Sequence, residues 1–133
     1  MFRRFVSGSA IASIAIALAV LILLLIPGVA LQRVYPLPIV WCCAPAVWGL
    51  WAMFAPGRWV PQRFPLWGAI LGLIAGLLAT FVLNLPARIL GETVPVILRG
   101  VAVAVIVVLY YFLWMLVRVA YRSLGAPAAG ASM

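Results

Sequence analysis

Four long apolar stretches divide the chain, at residues 8–26, 37–55, 66–85 and 96–117, each bounded by proline, glycine or arginine. Each is close to the roughly 20 residues that a helix needs to cross about 30 Å of hydrocarbon. Arg3 and Arg4 precede the first, and Pro27 and Gly28 close it. A secretory signal is the competing reading of this run, with Gly28 to Ala30 resembling a cleavage site, but signal cores usually span only about 7–15 residues. The second run carries Pro38 and Pro45 and ends at Pro56, Gly57 and Arg58. The third follows Arg63 and Pro65 and is expected to stop at Pro86. In the fourth, Val and Ala alternate from Val101 in a way that reads as a strand in a soluble protein. The run then continues into Tyr110, Tyr111, Trp114, Arg118, Tyr121 and Arg122, the aromatic and basic border of a spanning helix.

The expected fold is therefore all-α: a polytopic integral membrane protein, a single membrane domain forming a compact bundle of four transmembrane helices. Residues 125–133, rich in Ala, Gly, Ser and Pro, read as a disordered tail.

Small residues subdivide the runs. Gly68, Gly72, Gly76, Thr80 and Asn84 recur every four residues, and each such step advances about 40° around a helix. Gly68, Gly72, Ala75 and Ala79 fall within a narrow arc, with Gly76 and Thr80 flanking it. Gly8, Ala12, Ala15 and Ala19 form a second small face, opposite the bulky positions Ile11, Ile14, Leu18, Leu21 and Leu25. In lipid, small faces let helices approach closely, and Thr or Asn can bond across the contact. The pattern predicts that the third run packs on the first, although hairpins of runs one with two and three with four are also open. Pro45 lacks an N–H and predicts a kink near mid-membrane. Trp41, Trp48 and Trp51 are expected along one side of the second run. Pro45, Thr80 and Asn84 are the polar or kinked positions within the spans.

Composition sharpens the solvent. Of 133 residues 69% are hydrophobic and 8% charged, against roughly 25% charged in a soluble domain, and the mean hydropathy is +1.33. Nine arginines and Glu92 are the only charged side chains. The net charge of +8 does not form a basic face for nucleic acid, because the arginines stand singly or in pairs between apolar runs. With the N-terminus inside, six arginines (3, 4, 58, 63, 118, 122) fall on the cytoplasmic side and three (33, 88, 99) on the other. That asymmetry places both termini in the cytoplasm. The absence of lysine and the abundance of Arg, Ala, Gly and Pro are compatible with a bacterial protein, and the expected location is the inner membrane.

Little chemistry is available. Lys, Asp and His are absent, so general acid–base catalysis would rest on Glu92, tyrosines and two thiols. Glu92 lies in the connection after the third run, where Arg88 would be its i,i+4 ion-pair neighbour on a helix, with Arg99 close enough to snorkel. Thr93 is the expected cap of the last helix, with Pro95 in its first turn. Cys42 and Cys43 are adjacent, and neighbouring helical thiols point about 100° apart, so they do not converge on a metal. They read as two small apolar core residues. No catalytic, cofactor-binding or metal-binding residue is assigned. The expected role is a non-catalytic accessory or assembly subunit whose partners are the lipid bilayer and another membrane protein or a second copy of itself. The alternative is a small oligomeric transporter or channel for an apolar or small solute.

Overall fold

A computed structural model of the chain describes residues 1–27 and 37–125. The first connection with Arg33, the signal-like Gly28–Ala30 and the tail beyond Gly125 lie outside the described residues. Among the described residues the chain is all-helical. The elements are α1 (Phe2–Leu25), α2 (Leu37–Met53), α3 (Phe64–Leu77), α4 (Leu85–Leu90) and α5 (Val96–Ser123). A single 3₁₀ turn, Gly57–Trp59, lies between α2 and α3, and a π-helical turn, Leu78–Val82, extends α3. Counting that turn, α3 runs 19 residues; with the 24 of α1 and 28 of α5, three helices are long and apolar enough to cross a membrane. α2 is the shorter fourth, apolar throughout its 17 residues.

α1 packs on α2 and on α5, and α3 packs on α5. The expected pairing of the third run with the first is therefore overturned. The small face of α1 is already taken by α2. A Cβ on Gly8 would lie 2.8 Å from the Trp48 carbonyl oxygen and 3.3 Å from Ala52 Cβ, while Gly49 faces Ser9 and the Phe5 ring. Ser9 Oγ donates to the Pro45 carbonyl at 2.8 Å, tying α1 to the proline-bearing turn of α2. Thus α1 and α2 meet small on small.

The α3–α5 contact is built differently. The Trp114 ring fills the space that a Cβ on Gly68 would need, Tyr110 Cβ lies 2.6 Å from the equivalent point on Gly72, and Val103 Cγ1 3.3 Å from that on Gly76. Positions 103, 110 and 114 recur at helical spacing along one side of α5. Gly68, Gly72, Gly76 and Thr80 are buried, whereas Ala75 and Ala79 are only half-buried. The packing ridge is the four-residue spiral, not the narrow arc through 75 and 79. Ridges of that kind are the ones that pack into grooves when helices cross.

Arg3 Nη2 donates to the Tyr121 carbonyl at 2.9 Å, and Arg4 Nη1 to the Ala55 carbonyl at 3.1 Å. The start of α1, the α2–α3 connection and the end of α5 therefore share one end of the bundle. The buried apolar side chains concentrate there: Phe64, Trp114 and Val117 are fully enclosed, beside Ala12, Trp48 and Ala52. At the opposite end Leu24, Leu25, Ile39, Val96 and Ile97 are exposed. The bundle is clamped at one end and open at the other.

This geometry predicts a contrast between two glycines. Gly68→Ala drives a methyl into Trp114, an overpacking that costs about 1–3 kcal/mol. Gly100, with nothing within 4 Å of its would-be Cβ, accepts alanine with no loss, or a gain of up to about 1 kcal/mol from helix propensity. Thermal unfolding of the two variants in detergent measures the difference.

Candidate functional site

The aromatic side chains of the clamped end form a layer of two ring-contact groups, one around Trp114 and one around Trp67. Trp48 lies 5.0 Å from Tyr110 and 5.7 Å from Trp114 between ring centroids. Phe64 meets Trp114 and Tyr121 edge-on at 5.9 and 5.6 Å. Trp51 and Trp67 stack at 4.7 Å, 18° from parallel, and each indole N–H donates to the other residue's carbonyl, at 3.0 and 2.8 Å. A tryptophan carries both a large apolar face and one donor, so this reciprocal pair links α2 to α3 without leaving either N–H unpaired. The expected single tryptophan side of α2 is thereby divided. Trp48 enters the core, Trp51 turns to α3, and Trp41 remains half-buried.

Away from the clamped end, below this layer, α1, α2 and α5 diverge around an open cavity of about 340 Å³. Ala12, Ala15 and Ala19 line it from α1, Trp41 and Trp48 from α2, and Tyr110 from α5. A neighbouring groove of about 280 Å³ continues between Ile16, Val20, Pro38 and Trp41. The small residues of α1 thus serve two purposes along one face. Gly8 allows close contact, Ala12 stands at the cavity's rim, and Ala15 and Ala19 leave room. Apolar walls of this kind admit apolar matter and offer no charge to a polar solute.

Of the polar positions anticipated within the spans, Thr80 is satisfied by the backbone and Asn84 ends a helix. Thr80 is buried, and its Oγ1 donates to the Gly76 carbonyl of its own helix at 2.7 Å, not across a helix contact. Such i−4 back-bonding is how a threonine in an apolar helix satisfies its hydroxyl. The helix widens here, with Leu83 N–H bonding the Leu78 carbonyl five residues back at 2.9 Å. Asn84 then ends it in the left-handed region, φ 49° and ψ 38°, which asparagine tolerates better than most residues. Its Oδ1 is buried and accepts no bond among the described residues. The third span accordingly stops at Asn84 and not at Pro86, which instead sits in the first turn of α4.

The far connection differs from expectation in two further ways. α4 ends at Leu90, followed by Gly91 at φ 74°, so Glu92 does not share a helix with Arg88; both are exposed. The last helix begins after Pro95 without a side-chain cap, so Thr93 does not cap it and Pro95 precedes its first turn. Arg99 Nε donates to the Val94 carbonyl at 3.1 Å, which holds that turn. Cys42 and Cys43 are both exposed and are not core residues, with Cys42 on the wall of the groove beside Trp41. With Trp48, Gly49 and Ala52 turned inward, Cys43, Ala46 and Val47 face outward. Among the described residues no group of three or more His, Cys, Asp or Glu is placed to hold a metal ion.

Trp114, Phe64 and the Trp51–Trp67 pair carry the site yet are not singled out by small-residue patterns. For Trp114 the signal is the 3-4 spacing of bulky residues on α5, which reads equally as lipid-facing until the glycines opposite are known; Phe64 and Trp67 at the start of α3 and Trp51 near the end of α2 carry no comparable pattern.

Two turns along α1 separate tight packing from open space, which predicts opposite responses to the same change. Gly8→Leu, at a position whose Cβ would already lie 2.8 Å from the Trp48 carbonyl oxygen, costs about 1–3 kcal/mol by overpacking. Ala15→Leu extends into the cavity and leaves thermal stability unchanged or raised. Melting of both variants in the same detergent checks this.

The chain matches no protein-family model, no curated protein and no solved structure, so its role is argued from this geometry.

Proposed function

We propose that the chain is a small non-catalytic accessory or assembly subunit of a bacterial cytoplasmic membrane, with both termini inside. The observation that carries this reading is the state of the polar groups within the bundle. Ser7 Oγ bonds the Arg4 carbonyl, Ser9 Oγ the Pro45 carbonyl, Ser13 Oγ the Ser9 carbonyl and Thr80 Oγ1 the Gly76 carbonyl. These hydroxyls hold the chain's own backbone, and no ionisable carboxylate or imidazole stands beside them to move a proton. Polar solutes find no charged residue near mid-span, where membrane transporters usually place one. Orientation is supported by the six-to-three division of arginines between the two ends.

The association face is assigned to the outer side of α5. The two glycine-bearing ridges of α1 and α3 are consumed within the chain. On α5, Gly100 and Ala104 stand exposed one turn apart, the small-xxx-small spacing that helices in lipid use for close approach. A second reading, a carrier for an apolar molecule, is favoured by the cavity beneath Trp48, and the same protein serves to test it.

Mild-detergent purification of the tagged chain is expected to recover a stoichiometric membrane partner, and Gly100→Leu with Ala104→Leu is expected to release it while leaving the melting temperature of the chain intact. A chain that is recovered alone under every mild condition contradicts the subunit reading. Saturable binding of an apolar fluorophore, abolished by Ala15→Phe and Ala19→Phe, would favour the carrier instead.

A further inference from the structure

Two sides of α5 are occupied and one is free. Val103, Tyr110 and Trp114 meet the glycines of α3, and Ile106, Leu109 and Leu113 line the cavity shared with α1. With Gly100 as origin and about 100° per residue, Arg118 stands at the same angle, Tyr111 at about 20°, and Ala104 and Arg122 at about 40°. The residues facing α3 lie about 40–80° to the other side of that origin, and those facing the cavity about 120–180° from it. Gly100, Ala104, Tyr111 and Arg122 are exposed and Arg118 is half-buried. One uncovered arc therefore runs along most of the helix.

Three polar groups on this arc are unanswered. The guanidinium groups of Arg118 and Arg122 make no hydrogen bond or ion pair among the described residues, and Arg118 Nε is enclosed without an acceptor. Like charges one turn apart repel, and an enclosed charged donor without an acceptor is disfavoured. The Tyr111 ring meets Phe112 edge-on at 5.8 Å, but its hydroxyl makes no hydrogen bond among the described residues. Tyr111 lies about 10 Å inward of Arg118 along the helix, and helical side chains lean toward the N-terminus, here deeper into the span. A hydroxyl without a partner in hydrocarbon is costly.

Each candidate cover meets these groups differently. Lipid tails answer none of them, and an anionic headgroup answers the arginines but does not reach the hydroxyl. A second copy inserted in the same sense offers arginine to arginine, because the only acidic side chain, Glu92, lies in the connection at the opposite end. We propose that this arc receives a transmembrane helix of a different protein. That helix crosses closely at Gly100 and Ala104, hydrogen-bonds the Tyr111 hydroxyl, and places a carboxylate beside Arg118 and Arg122. Charge complementarity selects the partner, and the small pair only permits its approach. The proposal rests on the subunit reading and names the chemistry of the partner.

Photo-cross-linking of the full chain in native membranes tests it, with p-benzoyl-phenylalanine introduced at Met115 or at Leu116. Met115 borders the arc between Tyr111 and Arg118, and Leu116 points about 100° further round. Position 115 is expected to give one adduct with a different protein, and position 116 none. At equal membrane abundance, Arg118→Gln with Arg122→Gln lowers the yield from 115 about fivefold, and Arg118→Lys with Arg122→Lys retains most of it. Tyr111→Phe lowers it about threefold. Replacing the acidic residue of the captured helix by its amide gives the same loss as the arginine pair, and no further loss when combined with it. An adduct of two copies of this chain, adducts with lipid alone, or a yield indifferent to both arginines overturns the proposal. A partner that co-purifies but cross-links equally from 115 and 116 also overturns it and leaves the subunit reading standing, whereas a chain always recovered alone ends both.

Discussion

The close approach of α3 to α5 is the contact on which the rest of the bundle depends. In water, burial of apolar area would draw the helices together, but lipid tails are as apolar as leucine and supply no such drive. Association must come from packing that a lipid cannot match. Three glycines one turn apart remove the side chains from one ridge of α3, and Trp114, Tyr110 and Val103 occupy the space. Trp114 is 0% exposed as a result. Once that indole is seated, Phe64 meets it edge-on and Trp48 packs against it at a tilt, Tyr121 meets Phe64 in turn, and α1 and α2 are drawn to the same end.

The asymmetry of the molecule follows. Bulky aromatics fill one end, so the helices there are held by ring contacts and by arginine bonds to carbonyls of other elements. Toward the other end α1 presents Ala15 and Ala19 to helices that have begun to separate, and the cavity opens. The same gradient separates charge from counter-charge. Six arginines lie at the packed end, and the lone carboxylate lies beyond the open one. Between the two ends the helices are apolar and long enough to lie in a bilayer.

Much of the architecture was legible in the sequence, because spanning length and arginine borders are strong local signals. The four apolar runs correspond to α1, α2, α3 with its π-turn, and α5, with ends shifted by a few residues. Helix partners were less legible. Two small faces, on α1 and α3, invited each other, yet the Trp48 carbonyl and Ala52 of α2 were better placed for Gly8. The glycines of α3 instead matched large residues on α5 across a short connection. Thr80 and Asn84 illustrate a second limit. A polar residue in an apolar run announces that it needs a partner, but not whether the partner is another helix or its own backbone. Only the π-turn at 78–82 and the left-handed Asn84 settle that they serve the end of α3. Cys42 and Cys43 were misread for a related reason, since which side of α2 turns inward is decided by Trp48 and not by the small residues beside it.

Cross-linking in native membranes tests the α3–α5 contact most directly, in a background where Cys42 and Cys43 are replaced by alanine. Gly76→Cys paired with Val103→Cys brings thiols together, since a Cβ at 76 lies 3.5 Å from Val103 Cα. Rapid disulfide formation in that pair, and none between Gly76→Cys and Ala15→Cys, is the predicted result. Efficient linkage of 76 to 15, with 76 and 103 unreactive, would contradict the account.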